Sequence, residues 1–147
     1  MTTMQARVSM IALGVADLKA AIRFYEQGLG WTLSAASKDS IAFFQLAGGV
    51  VLSLYPRDLL AEDACLEAGT ASGFGGVTLA QNVESPEAVD AVLALAESAG
   101  AKILKTGRMV FWGGYSGYFA DLDGHPWEIA WNPAIQLKAE GGLILPG

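Results

Sequence analysis

Residues 113–128 read Gly113-Gly114-Tyr115-Ser116-Gly117-Tyr118-Phe119-Ala120-Asp121-Leu122-Asp123-Gly124-His125-Pro126-Trp127-Glu128. Asp123-Gly124 is a turn signal between two short runs rich in aromatic and aliphatic side chains. Gly114 to Ala120 and Pro126 to Trp131 are therefore predicted as strands joined by that turn. Side chains alternate along a strand, so Glu128 shares a face with Pro126 and Ala130. Trp127, Ile129 and Trp131 take the other face, which suits packing beneath a helix.

Working outward, the helix is close at hand. Ser85 is a capping residue followed by Pro86, whose missing N–H is not needed at a first helical position. Val89, Val92, Leu93 and Ala96 form an apolar stripe, and Gly100 ends it. Gly76 to Ala80 precedes this helix as a strand, and Ala101 to Lys105 follows it as another. The same series occurs earlier in the chain. Val8 to Val15 is a strand; Asp17 caps a helix carrying Leu18, Ala21, Ile22 and Tyr25; Gly28 and Gly30 close it. Trp31 to Ala36, Ile41 to Leu46 and Val50 to Tyr55 follow as strands, with Lys38-Asp39 and Gly48-Gly49 as turns. Val15 lies fifteen residues before Gly30, and Val83 seventeen before Gly100. The fold class is α+β: two βαβββ modules whose sheets curl around a shared cleft, with the helices outside. The boundaries are one domain over 1–147, with module one at about 6–56, a helical linker at 57–72, module two at about 73–133 and a tail at 134–147.

The bulk numbers exclude several function classes. A net charge of -6 with only nine Lys and Arg, scattered from Arg7 to Lys138, argues against a nucleic-acid surface. No apolar run is long enough for a membrane span, and the first ten residues lack a signal-peptide core, so a cytosolic location is expected. Cys65 is the single cysteine, which rules out an intrachain disulfide and a thiolate metal site. An apolar fraction of 52% hints at an interface or an apolar pocket. No Walker loop, dinucleotide fingerprint, nucleophile elbow or zinc-protease helix is present.

The 113–128 stretch resembles the last two strands of the vicinal-oxygen-chelate superfamily, the group of glyoxalases, bleomycin-resistance proteins and extradiol dioxygenases. The family's usual Asp-Pro-Asp-Gly turn appears here with Leu122 in place of proline. Gly14-Val15-Ala16-Asp17-Leu18, leading into Phe24-Tyr25 and Gly28-Leu29-Gly30-Trp31, is similar to the family's first strand and helix, so the resemblance spans roughly residues 6 to 133. It implies a cleft into which metal-dependent members project four ligands, from the first and last strands of each module. Matching the two halves puts Met10, Leu52, Thr78 and Glu128 at those slots, with Val15 and Val83 setting the first pair of registers and Tyr55 and Trp131 the second.

A thioether, a hydrocarbon and a hydroxyl do not hold Zn²⁺, Ni²⁺ or Mg²⁺ usefully, so no metal and no cofactor is expected. An iron facial triad needs two histidines, and His125 is the only one; the bland reading, a turn-flanking hydrogen-bonder, fits it best. Glu128 points into the cleft as a ligand anchor or an acid–base group, unless it is a structural carboxylate. Trp112 and Tyr115 begin the neighbouring strand beside Gly113, Gly114 and Gly117, which either leave room for a guest or curve the sheet. Arg108 is a candidate for an anionic group, or a solvated strand end. The expected function is metal-independent binding of a planar or aromatic small molecule by a homodimer, with Glu128, Trp112 and Tyr115 lining one pocket. The alternatives are a lyase or isomerase resembling glyoxalase I, and a non-catalytic interaction subunit.

Overall fold

Strand β1 (Met10–Val15) runs into Asp17, whose carboxylate accepts from the Ala20 N–H at 3.0 Å. That bond satisfies an amide the first turn leaves free, and helix α1 (Leu18–Arg23) starts there as expected. The computed structural model describes residues 2–69 and 73–145. Helix α1 widens into a π-helical turn over Phe24–Gly28, and Gly30 leaves it at φ +83°. The strand expected at Trp31 to Ala36 is reduced to one bridge between Leu33 and Phe44. Two serines explain this. Ser37 Oγ accepts the Phe43 N–H at 2.9 Å and Ser34 Oγ accepts the Ala36 N–H at 3.1 Å, so hydroxyls hold amides that a ladder would otherwise use. Strands β2 (Ala42–Gln45) and β3 (Val51–Pro56) complete a sheet of order β1-β3-β2, with β1 parallel to β3.

The linker opens with helix α2 (Arg57–Asp63); its residues 70–72 lie outside the described residues. Strand β4 (Leu79–Asn82) begins three residues later than expected, after Gly73 and Gly76 at φ +80° and +85°. The left-handed backbone there cannot continue a strand. Helix α3 (Pro86–Ser98) is capped by Ser85, whose Oγ accepts the Ala88 N–H at 3.1 Å. Strands β5 (Lys102–Met109), β6 (Tyr115–Ala120) and β7 (Pro126–Trp131) follow, in a sheet of order β4-β7-β6-β5. The tail forms a small hairpin of β8 (Gln136–Leu137) and β9 (Leu143–Ile144); residues 146 and 147 lie outside the described residues.

Both sheets bury one face in a single core. Leu13, Val15, Leu52, Leu54 and Phe44 come from the first sheet, and Phe119, Trp127 and Ile129 from the second, with α1 and α3 contributing Ala21, Val89, Leu93 and Ala96. Tyr25 joins the halves. Its hydroxyl donates to Asp121 Oδ2 at 2.7 Å and accepts from Trp127 Nε1 at 3.1 Å. Phe119 and Trp127 stack beside it with ring centroids 6.2 Å apart. The opposite face of the second sheet carries no helix and holds the candidate site, whereas on the first sheet the start of α2 packs over Gly14.

Candidate functional site

Register places each predicted residue on a definite face. On β7, Trp127 and Ile129 are buried in the core, so Glu128 between them faces away from the helices. Its neighbours across the sheet are Tyr118 on β6 and Ala80 on β4. Glu128 and Tyr118 are both half-buried. Partial burial, the Glu128 charge and hydrogen bonding to Glu128 push the Tyr118 phenol upward, which keeps it a proton donor beside an acceptor. Arg108 lies opposite Ser116, and Ser116 opposite Ala130, one rung along the same face. Thr78 precedes β4 by one residue and is exposed. Met10, 47% exposed, is on the side of the first sheet away from the core, because the core takes Leu13 and Val15.

Leu52 is not on that face. It pairs with Ile11, is fully buried, and points into the helix-side core with Leu54. The cleft position belongs to Ser53. Ala12 and Ala80 each stand three residues before the helix-entry valine of their module, and their partners are Ser53 and Glu128. Ser53 is therefore the counterpart of Glu128 in the first sheet. It is buried, and its Oγ has no hydrogen-bond partner among the described residues.

Tyr115 also parts from Glu128. It pairs with Trp131 on the helix side, and its hydroxyl donates to Asp90 Oδ1 of α3 at 2.8 Å. Trp112 sits in the β5–β6 turn, 40% exposed, with its ring folded over Gly114. A β-carbon at Gly114 would collide with that ring and with the Trp131 carbonyl; one at Gly117 would meet Leu93 and the β5 backbone. These glycines make room for the protein's own packing. The structure thus brings together Glu128, Tyr118, Ser116 and Arg108 on one face and turns Tyr115 to the other, with Trp112 at the strand entrance over Gly114. Tyr118 was missed at the sequence level although its alternation with Phe119 placed it opposite Glu128.

The Asp123-Gly124 turn has a structural task. Asp121, 5% exposed, accepts the N–H groups of Asp123 and His125, each at 2.9 Å. His125 Nε2 lies 2.8 Å from the Gly14 carbonyl, and Asp123 Oδ1 accepts the Ala16 N–H at 2.8 Å. Both bonds tie the β6–β7 turn to the outer edge of β1. His125 is the turn-flanking hydrogen-bonder that the sequence suggested.

A cavity of about 610 Å³ opens elsewhere, between the sheets beside β4, with Trp31, Phe44 and Trp127 in its walls and the tail hairpin at its mouth.

A family model described as Glyoxalase/Bleomycin resistance protein/Dioxygenase superfamily matches residues 7–129. The chain belongs to this superfamily. Among solved structures, a glyoxalase-related enzyme from Fulvimarina pelagi is 34% identical, with 97% of this chain and 100% of that chain covered and a TM-score of 0.87. A glyoxalase/bleomycin resistance protein/dioxygenase from Nocardioides is 26% identical over 93% of both chains, with a TM-score of 0.70. Lactoylglutathione lyase from Agrobacterium tumefaciens is 20% identical over 87% of this chain and 95% of that one, with a TM-score of 0.63, and shares the fold. No curated protein is detectably similar in sequence.

With the register of the two sheets, the residues that answer the four expected ligand slots are Met10, Ser53, Thr78 and Glu128. They offer one thioether, two hydroxyls and one carboxylate, a donor set that does not fit Zn²⁺, Ni²⁺ or an iron facial triad. Among the described residues, no three His, Cys, Asp or Glu side chains gather. The same residues can do other chemistry. Glu128 takes the Tyr118 O–H and keeps lone pairs that accept a hydrogen bond from a polar guest, and Arg108 adds a cation on the same face. No described helix is long and apolar enough to cross a membrane.

Proposed function

We propose that this superfamily member binds a planar or aromatic small molecule without a metal, anchored by Glu128 and Tyr118 on the helix-free face of the second sheet. One observation carries the reading: of the four side chains at the cleft positions, Glu128 alone is a carboxylate, and its neighbour is the Tyr118 phenol rather than a second metal ligand. Arg108 provides for an anionic substituent. Protein and guest meet through shape and a few polar contacts, as in most small-molecule sites. The protein acts in the cytosol as a homodimer in which a second copy covers the sheet faces turned away from the core; exposed Met10 and Leu104 supply apolar area for that contact. Likeness to the glyoxalase-related enzyme from Fulvimarina pelagi favours a glyoxalase-type reaction as a second reading, and the donor set runs against it.

Tryptophan fluorescence titrated against planar antibiotics and heteroaromatics tests the proposal. Glu128→Gln and Tyr118→Phe each weaken the best ligand about fivefold or more, the size of one lost hydrogen bond. Trp112→Ala, which alters a ring packed on Gly114, leaves the affinity within about twofold. A micromolar ligand that neither Glu128→Gln nor Tyr118→Phe weakens would place the site elsewhere.

A further inference from the structure

Strand β4 is an edge: among the described residues it pairs with β7 and with no other strand. Just beyond it, Val83 donates its N–H to the Ala130 carbonyl at 2.8 Å. Backbone groups alternate sides along a strand, so Gln81 turns its N–H and C=O towards β7 as Val83 does. Ala80 and Asn82 turn theirs outward, which leaves a row of unpaired donors and acceptors. That row borders the cavity of about 610 Å³, which Ala80, Gln81 and Asn82 all line. Across from it stands Trp31, half-buried, held edge-on against Phe44 and Trp127 at centroid distances of 6.0 and 5.8 Å. The remaining polar side chains of the lining are the hydroxyl of Thr32 and the amides of Gln45, Gln81 and Asn82, and Glu140 is the one ionisable side chain in the wall.

We propose that this cavity is a second small-molecule site, built for an uncharged planar heteroaromatic lactam that stacks on Trp31 and pairs its cyclic amide with the Ala80–Asn82 edge. The N–H and C=O of one extended residue lie side by side. A lactam presents the complementary acceptor and donor on one edge of its ring, so two hydrogen bonds form as they do between strands. The Trp31 ring supplies the apolar face. Glu140 repels carboxylates and leaves neutral rings unaffected. The volume lies inside the range of ordinary ligand pockets, about 300–1,000 Å³. The site is separate from the Glu128 face: Glu128 does not line the cavity, whose wall takes from β7 only Trp127, on the opposite side of the sheet.

Nuclear magnetic resonance on the full-length, isotope-labelled chain tests this with three probes: 2-quinolinone, its N-methyl derivative and quinoline-2-carboxylate. 2-Quinolinone saturably shifts the backbone amides of Ala80 and Asn82 and the Trp31 indole. N-methylation removes the lactam donor and weakens binding about tenfold, as does the carboxylate. Glu140→Lys, a change at an exposed position, improves carboxylate binding at least about threefold while 2-quinolinone stays within about twofold. Equal affinity for the N-methyl compound, or no shift at residues 80–82, overturns the proposal. Shifts there that depend on protein concentration without ligand also overturn it, because the edge then belongs to a second copy. Loss of 2-quinolinone binding in Glu128→Gln would move the lactam to the helix-free face and overturn this site while sparing the other.

Discussion

Tyr25→Phe isolates the bond network that fastens the first module to the second. Tyr25 is 1% exposed, so phenylalanine keeps the ring packing against Phe24, Phe44 and Trp127 and removes only the hydroxyl. Two bonds vanish: donation to Asp121 Oδ2 at 2.7 Å and acceptance from Trp127 Nε1 at 3.1 Å. A bond to a charged group contributes about 1.5–3 kcal/mol and one between neutral groups about 0.5–1.5 kcal/mol, so the loss is roughly 2–4 kcal/mol. In a chain of this length that lowers Tm by roughly 5–15 °C. The pH dependence gives an independent check. Burial first, and then the Asp121 charge, push the Tyr25 phenol far above its ordinary value of 10.0. A folded-state pKa raised above the unfolded one contributes stability that is complete below about pH 10 and lost as pH rises beyond it. Urea denaturation of both proteins between pH 7 and 11 therefore shows a gap that is constant to about pH 9.5 and narrows above it. A difference under about 1 kcal/mol at pH 7, or a gap that widens in alkali, would refute the reasoning.

Four further outcomes follow from the same geometry. Ser53→Ala removes a buried hydroxyl that lacks a partner, so stability stays level or rises by up to about 1 kcal/mol in chemical denaturation; a clear loss would show that Ser53 is bonded. Asp123→Asn keeps an acceptor for Ala16 and removes a charge whose pKa burial raises, beside Asp121. The raised pKa means that this group favours folding fully only below its unfolded value of 3.8, so the variant melts about a degree higher at pH 7, a gain discounted for partial exposure that fades towards pH 3. Ni²⁺, Zn²⁺ and Co²⁺ leave Tm within about a degree, and purified protein shows no stoichiometric metal; near one metal per chain would revive the lyase. Light scattering at micromolar concentration gives twice the 15.4 kDa chain mass, and a monomeric mass would contradict the dimer.

Most of the second module was legible because its signals are local. Ser85-Pro86, Gly100 and Asp123-Gly124 each dictate backbone geometry within a few residues, and α3 and β7 follow them closely. The first module was harder where side chains compete with the ladder: nothing in the alternation of Trp31 to Ala36 announces that Ser34 will hold the Ala36 amide and Ser37 that of Phe43. The tail's position was not legible either. Its hairpin lies at the mouth of a cavity whose walls come from residues 31–47, 80–82 and 127, and no local pattern encodes that meeting. The placement of Tyr115 against α3 and of Trp112 over Gly114 was not legible for a related reason. Proximity in sequence to glycines does not tell which ring fills the space, and here Trp112 itself covers Gly114.

The difference between Leu52 and Ser53 is one residue long and shows how a cleft is misread. Matching Tyr55 to Trp131 as aromatics set the register, whereas β1 aligns Val15 with Pro56. Because side chains alternate, that single step exchanges the two faces of β3. The alternation of the strand held the correction: Leu52 and Leu54 are the apolar pair that a core wants, and Ser53 is the polar residue between them. Moving the slot leaves the chemistry of coordination where it was, since an aliphatic hydroxyl serves a divalent transition metal hardly better than a hydrocarbon. What changes is the register logic of the site. Ser53 now answers Glu128 across the repeat, each opposite the alanine three residues before a helix-entry valine. The first sheet retains a small hydroxyl where the second retains a carboxylate, which is why the binding chemistry proposed here is concentrated on the second.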